Sequence, residues 1–221
     1  MSRSSPPSEP KFRREPAAAR REALVAATLA CLRKFGHDGA SVRRISAEAG
    51  VTMGLINHHF PGIDALLAAA YESLATLLLE TSRQSALRRQ TGPRARLHAF
   101  FAASFAPEAL DPALFRTWLV FWSMVAHSPE MRAVHARTYA ATRATLEMLL
   151  GRLKRMPGVS GFRIAPAAIG LSALMDGLWA ELSLNPRSFR ASRAVALCDD
   201  WVCALATGAF PGLRVPVAAA R

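Results

Sequence analysis

The stretch SVRRISAEAGVTMGLINHHF, residues 41–60, is the most informative part of this chain about its fold. Its first half places Val42, Ile45 and Ala49 at spacings i, i+3 and i+7, which predicts a short helix with one buried face. Gly50 then interrupts the pattern. A residue without a Cβ can adopt the left-handed conformation that often follows a helix end, so we expect a tight turn here.

A second short helix is predicted directly after this turn. Thr52 offers a side-chain oxygen as its N-cap, and Leu55 and Ile56 are expected to point inwards. Two short helices joined by a glycine-containing turn form a helix-turn-helix, whose second helix enters the DNA major groove. The candidate DNA contacts are Ser41, Arg43, Thr52, Met53, Gly54, Asn57, His58 and His59. The alternative is an ordinary helix pair in an all-α core, with these side chains merely solvated.

The same stretch resembles the DNA-binding domain of the TetR family of bacterial repressors. The matching positions are Ile45, Ala49-Gly50-Val51, Gly54, Ile56 and Phe60. Two positions depart from the family pattern: Asn57 replaces the usual Tyr, and Ile63 replaces a phosphate-binding Lys. Backbone N–H groups at the start of the next helix are the expected substitute for that Lys. The resemblance implies a homodimeric repressor that binds double-stranded operator DNA.

Composition agrees with an intracellular DNA-binding protein. The 221 residues carry a net charge of +12, which favours an acidic partner such as nucleic acid. Basic residues outnumber acidic ones both in 1–44 and in 130–163, so the charge does not locate the DNA site. The first fifteen residues are mostly Ser, Pro, Arg and Glu, so we expect no secretory leader there, and no apolar run reaches the roughly 18 residues that a membrane span needs. We therefore predict a cytoplasmic protein without a membrane segment.

The chain shows no pattern of an enzyme or a metal protein. Cys31, Cys198 and Cys203 lack metal-type spacing, and we expect them to be reduced and buried. His58 and His59 are adjacent on a helix, so their side chains point about 100° apart and cannot share one ion unaided. The sequence contains no Gly-rich phosphate loop and no nucleophile elbow. We therefore expect no catalytic residues, no metal and no cofactor.

Periodicity predicts an all-α fold in which an N-terminal three-helix helix-turn-helix domain precedes a C-terminal helical domain. The TetR resemblance implies that the C-terminal domain is the ligand-binding and dimerisation domain. The predicted segments are a disordered arm at 1–15, the DNA-binding domain at 16–60 and the C-terminal domain at 61–221. A first helix between Pro16 and Gly36 completes the DNA-binding domain. The later helices are predicted at 64–89, 94–105, 112–127, 129–156, 165–184 and 189–208.

The last two predicted helices are apolar on more than one face. A helix of this kind must be covered on several sides. Helices 165–184 and 189–208 would suit a four-helix interface with a second copy, and the TetR resemblance implies the same homodimer. The alternative is burial within one large monomer core.

An aromatic stripe and a lone carboxylate mark a candidate ligand site. Phe115, Trp118 and Trp122 share one helical face, which is usually a sign of core packing. Asp176 lies in an apolar run, where an ionised carboxylate is costly unless it is paired. Its partner could be an Arg such as Arg116, or a cationic ligand bound by the aromatic faces.

The segments Leu114–Trp122 and Leu174–Trp179 resemble those of BetI-type repressors, the choline-responsive regulators of glycine betaine synthesis within the TetR family. The resemblance implies a small cationic ligand such as choline, whose binding releases the operator. The candidate ligand residues are Phe115, Trp118, Trp122, Asp176 and Trp179. Two alternatives remain open: a regulator of the same fold that senses an apolar or acyl ligand, and a helical protein-interaction module.

Overall fold

The computed structural model describes residues 16–88 and 92–214, so the predicted arm at 1–15 lies outside the described part of the chain. The all-α prediction is confirmed, since the described residues form nine α-helices and two short 3-10 turns, with one isolated bridge between Phe162 and Arg214. The helices are α1 Ala17–Phe35, α2 Val42–Glu48, α3 Met53–His59, α4 Ile63–Leu87, α5 Pro93–Ser104, α6 Pro112–Val125, α7 Pro129–Lys154, α8 Ile164–Leu184 and α9 Ala191–Ala206.

Local capping explains several of these boundaries. Pro112 occupies the first turn of α6, and the Asp111 carboxylate accepts a hydrogen bond of 2.9 Å from the backbone N–H of Ala113. Ser128 caps α7 in the same way, since its hydroxyl oxygen accepts from the N–H of Met131 at 3.3 Å. These signals are local in sequence, which is why the predicted helices differ from the observed ones by only a few residues at their ends.

Helices α1, α2 and α3 pack around a small apolar core at the N-terminal end, which we call the head. Its fully buried members include Leu24, Cys31, Ile45, Ile56 and Phe60. A Cβ at Gly39 would lie 2.3 Å from the carbonyl oxygen of Cys31, so only glycine lets this turn approach α1. The close approach fixes where α2 begins, and therefore how the helix-turn-helix sits on α1.

Helix α4 is shared by all the apolar cores. Leu66 belongs to the head, Tyr71 and Leu74 to a second core with α6 and α7, and Ala86 to a third core with α5, α8 and α9. A helix of 25 residues is about 37 Å long. Head and C-terminal helices are therefore joined by one continuous rigid element.

Helix α8 is packed on one side and open on the other. It contacts α7 and α9, yet Ile169 is 55% exposed and Leu184 is 68% exposed. Within the described residues α8 is also the one unbroken helix long and apolar enough to cross a membrane by length and composition. The thiol of Cys203 on α9 is exposed, so the expectation of three buried cysteines holds only for Cys31 and Cys198.

Candidate functional site

The turn of the helix-turn-helix has the predicted geometry. Gly50 adopts a left-handed φ of 63°, and the N–H of Val51 donates to the carbonyl oxygen of Ser46 at 2.9 Å. At the other end of α2, the Ser41 hydroxyl oxygen accepts from the N–H of Arg44 at 3.3 Å. Ser41 is therefore the N-cap of α2, and the backbone of the pair is fixed at both ends.

The capping role predicted for Thr52 is only half right. Thr52 stands at the N-cap position of α3 with extended backbone, but its side chain makes no capping hydrogen bond. The first turn of α3 is closed instead by the N–H of Leu55, which donates to the Thr52 carbonyl oxygen at 3.1 Å. The exposed Thr52 hydroxyl is therefore available to a partner outside the head.

The candidate DNA contacts lie largely on one exposed surface of α2 and α3. Arg43, Thr52, Met53, Gly54, Asn57 and His58 are exposed, while Ser41 and His59 are half-buried. A Cβ on Gly54 would meet only the Thr52 hydroxyl, at 4.0 Å, so packing within the chain does not require glycine there. The rings of His58 and His59 meet edge to face with centroids 5.1 Å apart.

Two arginines that the sequence analysis missed support this surface. The Arg21 guanidinium on α1 donates to the carbonyl oxygen of His59 and lies 4.0 Å from the centroid of the Phe60 ring. Arg44 lies 4.5 Å from the centroid of the Phe35 ring, which is partly exposed. Both contacts join residues that are distant in sequence or on different helices, so helical periodicity gave no signal for them.

Ile63 is the first residue of α4 and packs against the head core and the neighbouring core. Its apolar side chain is therefore partly buried and cannot replace the charge of a phosphate-binding Lys. The start of α4 does present backbone N–H groups. The first of them with an acceptor in the same helix is that of Leu66, which donates to the carbonyl oxygen of Gly62 at 3.3 Å, so the N–H groups before it have no partner within the helix.

The predicted aromatic residues come together between α6 and α8. The Trp179 ring meets Phe115 and Trp118 edge to face, with centroids 5.1 and 6.0 Å apart. Trp122 continues the array along α6, 6.3 Å from Trp118. Phe115 is buried and the three tryptophans are partly buried. We call this array, together with Asp176, the aromatic cluster.

Three further residues extend the aromatic cluster, and the sequence analysis missed all of them. Tyr71 on α4 meets Trp118 edge to face at 5.3 Å, and its hydroxyl lies 2.8 Å from Nδ1 of His135 on α7. The His135 ring lies 4.2 Å from that of Tyr139, one turn along α7. Tyr71 lies on α4, and His135 and Tyr139 on α7, so only the packing of α4 and α7 against α6 reveals their common site.

Asp176 is the carboxylate of this cluster. Burial raises its pKa from 3.8 to about 6, and a hydrogen-bonding interaction with Tyr139 opposes that rise. Burial, with the nearby charge of Asp176, also raises the pKa of Tyr139, and the pKa of Tyr71 rises to about 12. Both phenols are therefore protonated at neutral pH and can donate hydrogen bonds.

The suggested pairing of Asp176 with Arg116 is wrong. Arg116 is exposed and donates instead to the carbonyl oxygen of Arg33 at 3.4 Å. Within residues 16–88 and 92–214, no Lys or Arg forms a salt bridge with Asp176. A carboxylate in an aromatic surrounding with no internal cation can bind a cationic ligand.

A separate surface groove of about 390 Å³ lies between α5 and α9. Its lining includes Arg94, His98, Asp199, Asp200 and Cys203, and contains no Phe, Tyr or Trp. His98 and Asp199 pair across it, with Nδ1 and Oδ2 2.7 Å apart. In the described part of the chain, no three His, Cys, Asp or Glu side chains are placed to hold a metal ion.

Comparison with known proteins gives consistent matches over most of the chain. A sequence profile of the C-terminal region of BetI-type transcriptional repressors matches residues 93–207, and one of bacterial regulatory proteins of the tetR family matches residues 24–70. The HTH-type transcriptional regulator BetI of Serratia proteamaculans is 32% identical over 187 residues, which cover 83% of this chain and 90% of that protein. BetI 2 of Chromohalobacter salexigens is 32% identical over 200 residues, covering 90% and 93% of the two chains.

Solved structures agree with this match. A protein from Pseudomonas aeruginosa PAO1, described as a transcriptional regulator, is 44% identical, with a TM-score of 0.83 over 92% of this chain and 98% of that one. A regulator from Saccharomonospora viridis in complex with choline is 19% identical, with a TM-score of 0.71 over 84% and 96% of the two chains. The second likeness concerns the fold alone.

Proposed function

The chain belongs to the TetR family of transcriptional regulators and is a BetI-type repressor, not an enzyme; on this premise we propose that it releases its operator when choline or a similar quaternary amine binds beside Asp176. Regulators of this family bind operator DNA and act as dimers. We expect it to work in the cytoplasm, where its DNA would be.

The proposed DNA contacts are the exposed residues of α2 and α3 together with Ser41 and His59. Arg43 and Asn57 carry most of this proposal, since both are exposed and their side chains form no hydrogen bond or salt bridge with other described residues. An Arg can contact a phosphate or a guanine, and an Asn can pair with adenine through two hydrogen bonds. Gly54, which the chain itself does not require, allows the backbone of α3 to approach the duplex closely.

The observation that carries the ligand proposal is Asp176, a carboxylate among aromatic rings without a basic partner in the described residues. A quaternary ammonium has no N–H, so it cannot use ordinary hydrogen bonds. It binds instead to ring faces, with an attraction of about 0.5–2 kcal/mol for each well-placed ring, and to a nearby negative charge. The aromatic cluster supplies both kinds of contact.

The proposed dimer forms through α8 and α9. The exposed residues of α8 follow one face at helical spacing, and only Glu181 among them is charged: Ala165, Ile169, Ala173, Gly177, Glu181 and Leu184. An open apolar face of this length is typical of an interface between subunits. A twofold dimer also presents two copies of α3, as a palindromic operator requires.

The proposed release depends on a difference in ligand affinity between two spacings of the heads. Helix α6 carries Trp118 and Trp122, and its N-cap residue Asp111 pairs with Arg33 at the end of α1. A ligand that shifts α6 would therefore act directly on the head. Coupling of this kind typically changes affinity by about 5- to 150-fold.

The test is titration of a labelled duplex from the chain's own upstream region, followed by fluorescence anisotropy at fixed salt. We expect tight binding of the duplex, weakened by choline but not by equal concentrations of sodium chloride. Calorimetry with Trp122→Ala or Asp176→Asn should show a loss of choline binding. Unchanged choline binding in both variants would show that the ligand site is wrongly placed.

A further inference from the structure

Met53 presents a large apolar side chain to solvent at the start of α3. It is the first residue of the helix and is 54% exposed. Successive residues of an α-helix are about 100° apart, so an arc of about 140° holds four residues that are all exposed: Met53, Gly54, Asn57 and His58. Ile56 lies outside that arc and is fully buried. Met53 therefore shares the exposed face of α3 with Asn57, its neighbour one turn along.

The other exposed large apolar side chains lie away from this face. Among the described residues they are Phe35, Leu77, Leu119, Ile169 and Leu184. Phe35 is the one that belongs to the head, and it is flanked by Lys34 and Arg44, whose charged groups lie 5.0 and 4.5 Å from the centre of its ring. The remaining four lie on α4, α6 and α8. Met53 is therefore the exposed large apolar side chain on the proposed DNA-binding surface.

The chemistry of the major groove restricts what Met53 can recognise. Its thioether side chain has no N–H or O–H to donate and is only a weak acceptor, so it cannot read a base edge by ordinary hydrogen bonds. Among the groups that base pairs present in the major groove, the C5-methyl group of thymine is the apolar one, and the others are hydrogen-bond donors and acceptors. Contact with Met53 would leave such a donor or acceptor without its water partner. Thymine is therefore the base that suits this side chain.

We propose that Met53 is a specificity-determining residue of the operator contact, and that it packs against the C5-methyl group of one thymine in each half-site. The N-terminal residues of a recognition helix are those that contact base edges, and Met53 is the first residue of α3. This inference rests on the proposed function and specifies a base that the same surface recognises.

The residues on either side of Met53 leave this contact open. Gly54 has no side chain, and a Cβ there would meet only the Thr52 hydroxyl, at 4.0 Å. Thr52 is exposed, and its side chain makes no capping hydrogen bond. It carries a methyl group of its own, which can also contact a thymine. The experiment must therefore distinguish Met53 from Thr52.

The experiment measures how the DNA affinity of the full chain depends on single thymine methyl groups. The probe is a duplex selected for tight binding from a double-stranded library with a random core. Each thymine of this duplex is then replaced by deoxyuridine, which pairs with adenine in the same way and lacks only the methyl group. Fluorescence anisotropy at fixed salt gives the affinity of each duplex. We expect one thymine per half-site whose replacement weakens binding about fourfold, as the return of one apolar carbon to water implies.

Two variants assign the effect to one side chain. Met53→Ala removes the thioether and leaves a strong helix former at an exposed position, so the fold should be unaffected. In this variant the ratio of thymine to uracil affinity should fall from about fourfold to about onefold. Thr52→Ser removes the neighbouring methyl group and keeps the hydroxyl, so it should retain the full ratio at the same thymine. Thermal unfolding of each variant checks that the fold is intact.

The possible outcomes separate this inference from the proposed function. If no thymine of the selected duplex responds to replacement, Met53 does not read a thymine and the inference fails, while operator binding through α2 and α3 still stands. A ratio that persists in Met53→Ala, or that disappears in Thr52→Ser, would also overturn the inference. If the unaltered protein selects no duplex from the library, the inference and the proposed DNA contacts both fail.

Discussion

Nη2 of Arg33 lies 2.6 Å from Oδ2 of Asp111, and this ion pair joins the last turn of α1 to the N-cap of α6. The Arg33 hydrogen bond, reinforced by the N–H of Ala113, holds the pKa of the Asp111 carboxyl below its usual range. Helix α6 also carries Trp118 and Trp122. The same helix therefore contacts the head at one end and the aromatic cluster along its length.

We expect Arg33→Ala to uncouple ligand binding from DNA release. The pair is partly exposed, so its loss should cost at most about 1 kcal/mol of stability. Choline affinity should stay unchanged, because Arg33 does not contact the aromatic cluster. The drop in operator affinity that choline causes should become several-fold smaller. Anisotropy titrations with and without choline measure this. The control is Arg83→Ala, because Arg83 pairs with Glu80 on the same helix. An equal effect of this control variant would refute the proposed coupling through the Arg33–Asp111 pair.

Arg43→Ala and Asn57→Ala should each weaken operator binding. Loss of a base contact typically costs about 1–3 kcal/mol of binding free energy. Loss of a phosphate contact instead reduces the slope of log affinity against log salt concentration by about one. Measurement of affinity over a range of salt concentrations therefore shows which kind of contact each residue makes. Arg155→Ala, an exposed arginine at the end of α7, serves as the control. Full affinity in both head variants would rule out the proposed surface.

Choline affinity should depend on the charge of Asp176. Burial raises the pKa of this carboxyl to about 6, so the ionised form that attracts a cation prevails above that pH and is lost below it. Affinity should be constant near pH 8 and fall about tenfold per unit well below pH 6. Asp176→Asn should bind weakly, with a much flatter profile between about pH 5 and 8. A wild-type profile equally flat over that interval would mean that Asp176 does not balance the ligand charge.

Ile169→Glu should break the homodimer. The side chain is 55% exposed in one chain and lies on the apolar face of α8, so burial of a carboxylate there would oppose association. Light scattering after gel filtration should report a monomer, with reduced operator affinity. Leu77→Glu is the matched control, because Leu77 is 63% exposed on α4, away from that face. A dimer that persists in Ile169→Glu would place the interface elsewhere.

Prediction from sequence worked best where the signal is local. The spacing of Val42, Ile45 and Ala49, the glycine at position 50 and the helix-starting prolines act within a few residues of themselves. Capping was harder to predict in detail, as Thr52 shows: the residue stands at the N-cap, but its hydroxyl does not complete the bond. A preferred residue type indicates the position of a cap and does not fix the side-chain rotamer.

Helical spacing was enough to predict the all-α architecture, the helix-turn-helix and the grouping of Phe115, Trp118 and Trp122 on one face. The surroundings of Asp176 could be seen only once the helices were packed together. That packing brings Tyr71 and Tyr139 to the Asp176 carboxylate, places Arg116 beside Arg33 instead, and leaves Cys203 exposed. The physical reason is that helical periodicity fixes which residues share a face, whereas the packing of α4, α6, α7 and α8 fixes which faces meet.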